Sequence, residues 1–206
     1  MKPIIVLGGG GHAKVVMEVL QLRNQEIIGF TDPLTESTIL GISWLGNDEI
    51  VNTYSPEDIL LVNGLGSVCN NTRRKRLFHF WKEKGFSFAN VIHPSAIVST
   101  NAILDEGVQI MAGAVIQAGV RTGSNSIINT RAAVDHDTSI GKHVHIAPGV
   151  TLSGGIIIED DTHVGTGAVV IQGLTIGRNS MVAAGAVVVK DVPADSKVAG
   201  VPARNM

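Results

Sequence analysis

Asp135-His136-Asp137 is the one place in the chain where a histidine stands between two aspartates. A histidine with a carboxylate partner is a base tuned near neutral pH, able to take a proton from an amine or hydroxyl as it attacks an electrophile. Either aspartate can hold the ring, and the spacing leaves that choice open, although neighbours on an extended strand tend to face apart. A second histidine, His145, follows nine residues on, with His143 two places before it. At the other end of the chain, Gly8-x-Gly10-x-x-Ala13 has the form of a glycine-rich phosphate fingerprint. Glycines let the backbone approach a diphosphate, and a following helix offers unpaired N–H groups. Asp32, at the end of the next apolar run, is placed to accept a hydrogen bond from a ribose hydroxyl.

The element that must carry His136 is a six-residue repeat running without a slip from Ala96 to Asp191. Every sixth residue from Val98 to Val188 is Val, Ile or Leu in fifteen of sixteen cases, and the exception, Thr122, is β-branched. A second row two places earlier, Ala96 to Ala186, contains no charged residue. Two apolar phases at a fixed short period are the signature of a solenoid. Six residues make one short strand plus a turn, and three such units close a triangular coil of about eighteen residues. An amphipathic helix cannot hold a six-residue register, and a sandwich needs longer strands joined by hairpins. Gly113, Gly119, Gly149, Gly155, Gly167, Gly173 and Gly185 recur at one turn phase, where positive φ suits glycine. His136 lies two residues past the inward Val134, near a turn and outside the prism. His145 is one and a half hexapeptides further, about half a coil around. The two meet only if His145 comes from a neighbouring copy.

Residues 1–92 follow a different grammar. Strands are expected at Pro3–Leu7, Glu26–Phe30, Ile59–Val62 and Phe88–Ile92, with helices at His12–Arg23 and Thr72–Lys84. Strand, helix, strand in this order predicts a parallel, Rossmann-like sheet. The division expected is therefore 1–92, an α/β nucleotide-binding domain, and 93–206, an all-β solenoid. An NAD site is disfavoured, because the first domain lacks a second mononucleotide half; a uridine nucleotide fits the smaller site. A tight turn with no ligand is the plainer alternative. Asn71, Arg73 and Arg74 follow the turn at Gly64 and either reach a diphosphate or form an exposed basic helix face.

Composition sets further bounds. A net charge of −2 disfavours a general nucleic-acid binder. The single cysteine, Cys69, excludes an internal disulfide and suits a reducing cytoplasm. The apolar run Ile4–Leu7 is too short for a membrane span or a signal segment.

The repeat resembles the hexapeptide-repeat acyltransferases, whose coils form a left-handed parallel β-helix and assemble as trimers. Over nearly the whole chain, the opening Ile5 to Val16, Asp32-Pro33, Ile92-His93-Pro94-Ser95-Ala96 and Gly200-Val201-Pro202-Ala203-Arg204 look like the nucleotide-sugar and sialic-acid acyltransferases, closest to the UDP-4-amino-sugar N-acetyltransferases. The resemblance implies acetyl-CoA as co-substrate, no metal, and a homotrimer with active sites at subunit interfaces. It implies that the glycine loop, with Gly8, Gly10, Gly11, Ala13 and Lys14, and Asp32 hold a UDP-amino sugar; Gly64 and Arg73 are candidates for the same site, and His12 either contacts the sugar nucleotide or caps the helix start. It makes His136 the base, Asp137 its orienting partner and His145 the contact to the acetyl carbonyl. Gly154, Ala184 and Gly185 match positions along the pantetheine arm, with alanines at 183 and 184 where relatives can carry glycine. Lys190 and Arg204 either meet CoA phosphates or are solvated. His163 is given no role.

Three rivals remain. A zinc carbonic anhydrase shares the β-helix, but the gaps between His136, His143, His145 and His163 do not fit its ligand spacing. A sugar, serine or sialic-acid O-acetyltransferase needs the same base. A non-catalytic trimeric scaffold would leave the Asp-His-Asp cluster without purpose.

Overall fold

In this computed structural model, described for residues 2–34, 37–67 and 71–206, the chain divides into two compact units, Met1–Pro94 and Ser95–Met206. The division falls two residues after the expected one. Cys69 lies outside the described residues.

The first unit is built on a parallel sheet of four strands, β1 (Ile4–Leu7), β2 (Ile27–Thr31), β3 (Trp44–Gly46) and β4 (Leu60–Asn63), in the order β3-β2-β1-β4. Ile4 to Leu7 are all buried, as the central strand of a covered parallel sheet requires. Helix α1 (Gly11–Leu22) buries Ala13, Val16, Met17, Val19 and Leu20, and helix α2 (Thr72–Glu83) buries Phe78 and Trp81. Phe78 and Trp81 pack with Ile5, Leu7, Leu61, Phe86 and Phe88 on one side of the sheet. The expected strand Phe88–Ile92 is broken. Phe88 makes a single parallel bridge to Leu61, and only Val91–Ile92 is strand. Strand β3 and the 3₁₀ turn Asp48–Thr53 have no counterpart among the expected elements; Trp44 Nε1 of β3 donates to Asp32 O at 2.9 Å.

The second unit is a three-faced parallel β-helix of two-residue strands. The first face stacks Ile97–Val98, Val115–Ile116, Ala133–Val134, Thr151–Leu152, Val169–Val170 and Val187–Val188. The second carries Ile103–Leu104, Arg121–Thr122, Ser139–Ile140, Ile157–Ile158 and Thr175–Ile176. The third carries Gln109–Ile110, Ile127–Ile128, His145–Ile146, His163–Val164, Met181–Val182 and Lys197–Ala199, with Arg204–Asn205 added antiparallel at the end. Residues stacked on successive coils are 18 apart, as with Asn125 and His143. The closing coil is shortened, so that Ser196 stacks on Ser180 16 residues back. The seven turn-phase glycines have φ between +67° and +76°.

Both inward rows behave as the repeat requires. From Ile110 to Val188 the first row is buried, and of its members only Thr122 carries a hydroxyl. In the second row, polar residues are tied to the wall. Ser126 Oγ donates to Gly141 O at 2.8 Å and accepts from Val144 N at 3.0 Å, and Thr162 Oγ1 donates to Gly177 O at 3.0 Å. Thr122 Oγ1 is buried with no partner. An unsatisfied buried hydroxyl costs about 1–3 kcal/mol, whereas one that is paired contributes about 1. Thr122→Val is therefore expected to stabilise the protein by about 1 kcal/mol, a rise of roughly 2–4 °C in Tm. Ser126→Ala should destabilise it by a similar amount. Paired denaturation curves check both signs.

Candidate active site

The glycine loop of the first unit is organised by Asp32. Its carboxylate accepts from Gly9 N–H through Oδ2 and from Leu34 N–H through Oδ1, each at 2.8 Å. Gly8 has φ +108° and Gly10 is the extended N-cap of α1. A Cβ on Gly10 or Gly11 would meet nothing within 4 Å, so the loop presents bare backbone. Gly64 and Ala13 serve packing. A Cβ on Gly64 would stand 2.8 Å from Leu7 O and 2.9 Å from Ala13 Cβ, and Ala13 is buried. His12 is half-buried beside Gly66. Lys14 is exposed and lines, with Gly9 and residues 37–40, an open cleft of about 340 Å³.

Arg73 and Arg74 part company on the first turn of α2. Arg73 is exposed. Arg74 is buried, and its Nη1 donates to Asn63 O at 2.9 Å and Leu65 O at 2.6 Å, while Asn63 Nδ2 donates to Arg74 O at 3.0 Å. Burial pushes its guanidinium down to about 9. Neither reading of Arg74, as diphosphate contact or as part of an exposed basic face, fits this placement. The residue clips the segment after β4 onto α2.

The β-helix divides the remaining candidates into two groups. His136, Asp137 and Gly154 share the corner between the first and second faces. His136 Nδ1 lies 2.9 Å from Asp137 Oδ2, whereas Asp135 Oδ1 accepts the His136 backbone N–H at 2.8 Å. The partner of the ring is thus Asp137. Its φ is +57°, in a turn position that the coils on either side fill with Gly119 and Gly155. Gly154 lies one coil on, beneath the imidazole. A Cβ there would stand 2.6 Å from His136 Nε2, so the ring occupies space that any side chain at 154 would take. His136 is exposed, and its pKa is raised above 6.5, first by the hydrogen bond to Asp137 and then by the charge of Asp135. With Nδ1 protonated toward Asp137, the neutral ring presents Nε2 as the basic nitrogen.

His145 belongs to the second group, on the opposite, third face. It is 8% exposed. Its Nε2 lies 3.1 Å from Asn129 Nδ2, and its ring meets that of His163 edge-to-face with centroids 4.9 Å apart. Ala184 and Gly185 are exposed at the corner leaving that face, Gly185 with φ +68°. Within one chain, then, the prism separates His145 from His136. Asn129 is not among the expected site residues, and His163, given no role from the sequence, stands eighteen residues from His145 and stacks on it. Among the described residues, no group of three or more His, Cys, Asp or Glu is arranged to hold a metal ion. Nor is any described helix long and apolar enough to cross a membrane.

Asp137→Asn removes the acceptor that stabilises the charged ring. The His136 titration midpoint, followed by NMR, should therefore move down from its raised position toward 6.5. An unmoved midpoint would assign the shift to Asp135.

Comparison with known proteins gives a consistent answer. Residues 3–80 match the PglD N-terminal domain, and residues 155–190 match the hexapeptide repeat of succinyl-transferase. The UDP-N-acetylbacillosamine N-acetyltransferase of Bacillus subtilis (strain 168) is 40% identical over 113 residues, covering 54% of this chain and 52% of that protein. The chain thus spans about half the length of this curated relative. Solved structures match throughout. The acetyltransferase domain of PglB from Neisseria gonorrhoeae FA1090, in complex with acetyl coenzyme A, is 37% identical with a TM-score of 0.93, covering 100% of this chain and 99% of that one. PerB from Caulobacter crescentus, in complex with CoA and GDP-perosamine, is 37% identical with a TM-score of 0.91, covering 100% and 98%. A Rossmann-like sheet followed by a left-handed parallel β-helix, matched along its full length at this identity, places the chain in the family of nucleotide-sugar N-acetyltransferases.

Proposed function

We propose that the protein transfers an acetyl group from acetyl-CoA to the 4-amino group of a UDP-linked 4-amino-4,6-dideoxy sugar, for surface-glycan or glycoprotein sugar biosynthesis in the cytoplasm. The observation that carries this reading is the His136–Asp137 pair on an outer corner of the β-helix, its Nε2 directed over a glycine that leaves room for it.

The amine attacks the thioester carbonyl while His136 Nε2 takes its proton, and the CoA thiolate leaves. Asp137 holds the ring with Nδ1 protonated and stabilises the imidazolium that forms, as a carboxylate partner does in acyl transfer generally. His145 of a neighbouring copy stabilises the developing oxyanion, in a homotrimer whose corners meet its neighbours' faces. The backbone at Gly154, Ala184 and Gly185 lines the path of the pantetheine arm. The loop at Gly8, Gly10, Gly11, His12 and Lys14 takes the diphosphate. Asp32 shapes that loop through two backbone N–H groups and retains lone pairs for the ribose. Gly64 and Ala13 act through packing, and Arg73 reaches toward the diphosphate from α2. The GDP-perosamine complex of the Caulobacter relative supports a second reading, in which the nucleotide is guanosine.

Thiol release from acetyl-CoA tests the reading against UDP- and GDP-linked 4-amino sugars, free sialic acid and serine. Release with a nucleotide-linked amino sugar alone is the expected result; release with sialic acid instead would make the acceptor a hydroxyl. His136→Ala should lower kcat roughly 10²–10⁴-fold with the fold intact. In the wild type, kcat should fall as pH drops through the His136 pKa, because protonation removes the base. That pKa is raised, so half-maximal activity is expected above pH 6.5. Gly154→Ala should lower kcat about tenfold or more by displacing the ring.

A further inference from the structure

Two turns of the β-helix carry a charged residue where the coils around them carry glycine. At the corner leading into the first face, the left-handed turn position is Gly113, Gly149, Gly167 or Gly185, with φ of +67° to +68°, and once Arg131, with φ +58°. At the corner leaving that face it is Gly119, Gly155 or Gly173, and once Asp137, with φ +57°. Asp137 is there for the His136 ring. Nothing in the chain does the same for Arg131. A residue with a Cβ is held in this region at a cost that glycine avoids, and such outliers gather where a contact repays them. The Arg131 stem passes over Gly113, where a Cβ would stand 3.5 Å from its Cγ, and the residue is exposed. Among the described residues it has no ion-pair or side-chain hydrogen-bond partner. It is also the one charged residue in the turns of its corner, 111–113, 129–131, 147–149, 165–167 and 183–185.

The face between these two corners carries no charge. Its outward residues are Ile97, Val115, Ala133, Thr151, Val169 and Val187, and Ile97 is 67% exposed. The second face, by contrast, presents Arg121, and the third presents Lys197. An exposed apolar strip of this kind marks an interaction surface. Copies of this chain turned about a threefold axis parallel to the coils, first faces inward, make a closed ring. In that ring the corner after the face in one copy abuts the corner before it in the next. Rotation about the axis leaves height unchanged. Stacked strands rise about 4.8 Å per coil of eighteen residues, so Arg131 and Asp135, four residues apart, differ in height by about 1 Å. The abutting corners are thus of opposite charge at one level. Asp137 is engaged with the ring of His136, whereas Asp135 uses Oδ1 for the His136 backbone N–H and keeps Oδ2.

We propose that Arg131 of each copy forms an ion pair with Asp135 of the neighbouring copy, closing the apolar first faces around the threefold axis beside the His136 corner. This rests on the reading of the protein as a homotrimer with active sites between subunits. The apolar faces supply the burial, and the ion pair sets which corner meets which and at what height. Charge of one sign on each corner favours the head-to-tail ring over a face-to-face dimer, which would bring like corners together as readily as unlike ones. The third face, which carries His145, runs into the Arg131 corner, so the same ring carries His145 toward the neighbour's His136.

Subunit exchange between isotope-labelled and unlabelled full-length protein, followed by native mass spectrometry, tests the pair. The variants are Arg131→Gly, which takes the residue of the adjacent coils and so keeps the turn, Asp135→Asn, and the two combined. The wild type should be a trimer, and each single variant should exchange subunits about tenfold faster. The double variant should exchange no faster than the faster single one, because both substitutions remove the same contact. Rising salt should speed exchange in the wild type and not in Arg131→Gly, a comparison that stands even if Asp135→Asn fails to fold. Unchanged exchange in Arg131→Gly overturns the proposal, as do effects that multiply in the double variant. A raised KM for acetyl-CoA or the sugar nucleotide in Arg131→Gly, with exchange unchanged, overturns it in favour of a phosphate contact. A monomeric wild type overturns it too, while thiol release by that monomer would leave the acetyltransferase reading standing. Coupled exchange in a trimer that releases no thiol with any amino sugar would uphold the ion pair and remove that reading.

Discussion

Stacked strands of the β-helix set each residue opposite one eighteen places on until the shortened closing coil, and that register decides which side chains can meet. Arg121 pairs with Ser139, Ile127 with His145, and Ala133 with Thr151. A one-residue slip in any coil would turn its inward row outward and expose a set of Val, Ile and Leu side chains. The apolar rows therefore hold the register, and the register holds the chemistry. His136 stands over Gly154 because the two are one coil apart. His145 meets His163 for the same reason. The exposed pair at the corner and the buried stack on the third face need no long-range contacts of their own to be positioned.

The parts of the fold readable from the sequence are those where many residues repeat one statement. Sixteen hexapeptides vote on the same period, so the solenoid is plain even though Thr122 breaks the pattern. The glycine loop is plain because Gly8 holds a positive φ that favours glycine, and Gly64 faces it where a side chain would strike the Leu7 backbone and Ala13 of α1. Single-residue decisions are harder. Arg74 reads as a surface cation in a helix full of basic residues, yet it is turned inward, where its Nη1 donates to Asn63 O and Leu65 O. Phe88 has strand chemistry but bridges only Leu61 before the chain leaves the sheet. Trp44 belongs to a three-residue strand, too short to show any alternation.

The candidate site divides in the same way. His136 and its two aspartates are visible because a charged cluster interrupts a weakly charged repeat, but the choice of Asp137 over Asp135 needs the turn geometry. Asp135 ends an extended strand and folds back onto the next backbone N–H, which removes it from competition. Asn129 carries no signal in sequence. It is a polar residue one place past an inward isoleucine, like many others in the repeat. Its place beside His145 comes from the fold, which brings its Nδ2 to 3.1 Å from Nε2 of that ring.

Asp137 shows how much the corner gives up for its base. At φ +57° the left-handed region is uncrowded for glycine, and the adjacent coils use glycine there. A residue with a Cβ in that region costs about 1–2 kcal/mol, less for Asp than for most because its short carboxylate can bond locally. Across the turn, the Asp137 carboxylate fills the place a Cβ on Gly119 would take, so the coil below must remain a glycine for the aspartate to fit. Gly154, on the next coil in sequence, must likewise remain bare for the ring. The base is thus set between two glycines, one making room for the carboxylate and one for the imidazole. The left-handed turn is what brings Asp137 Oδ2 to Nδ1 and leaves Nε2 facing outward. An aspartate on a flat strand would point away from its neighbour, and the same three residues would then be an acidic surface patch without a directed base.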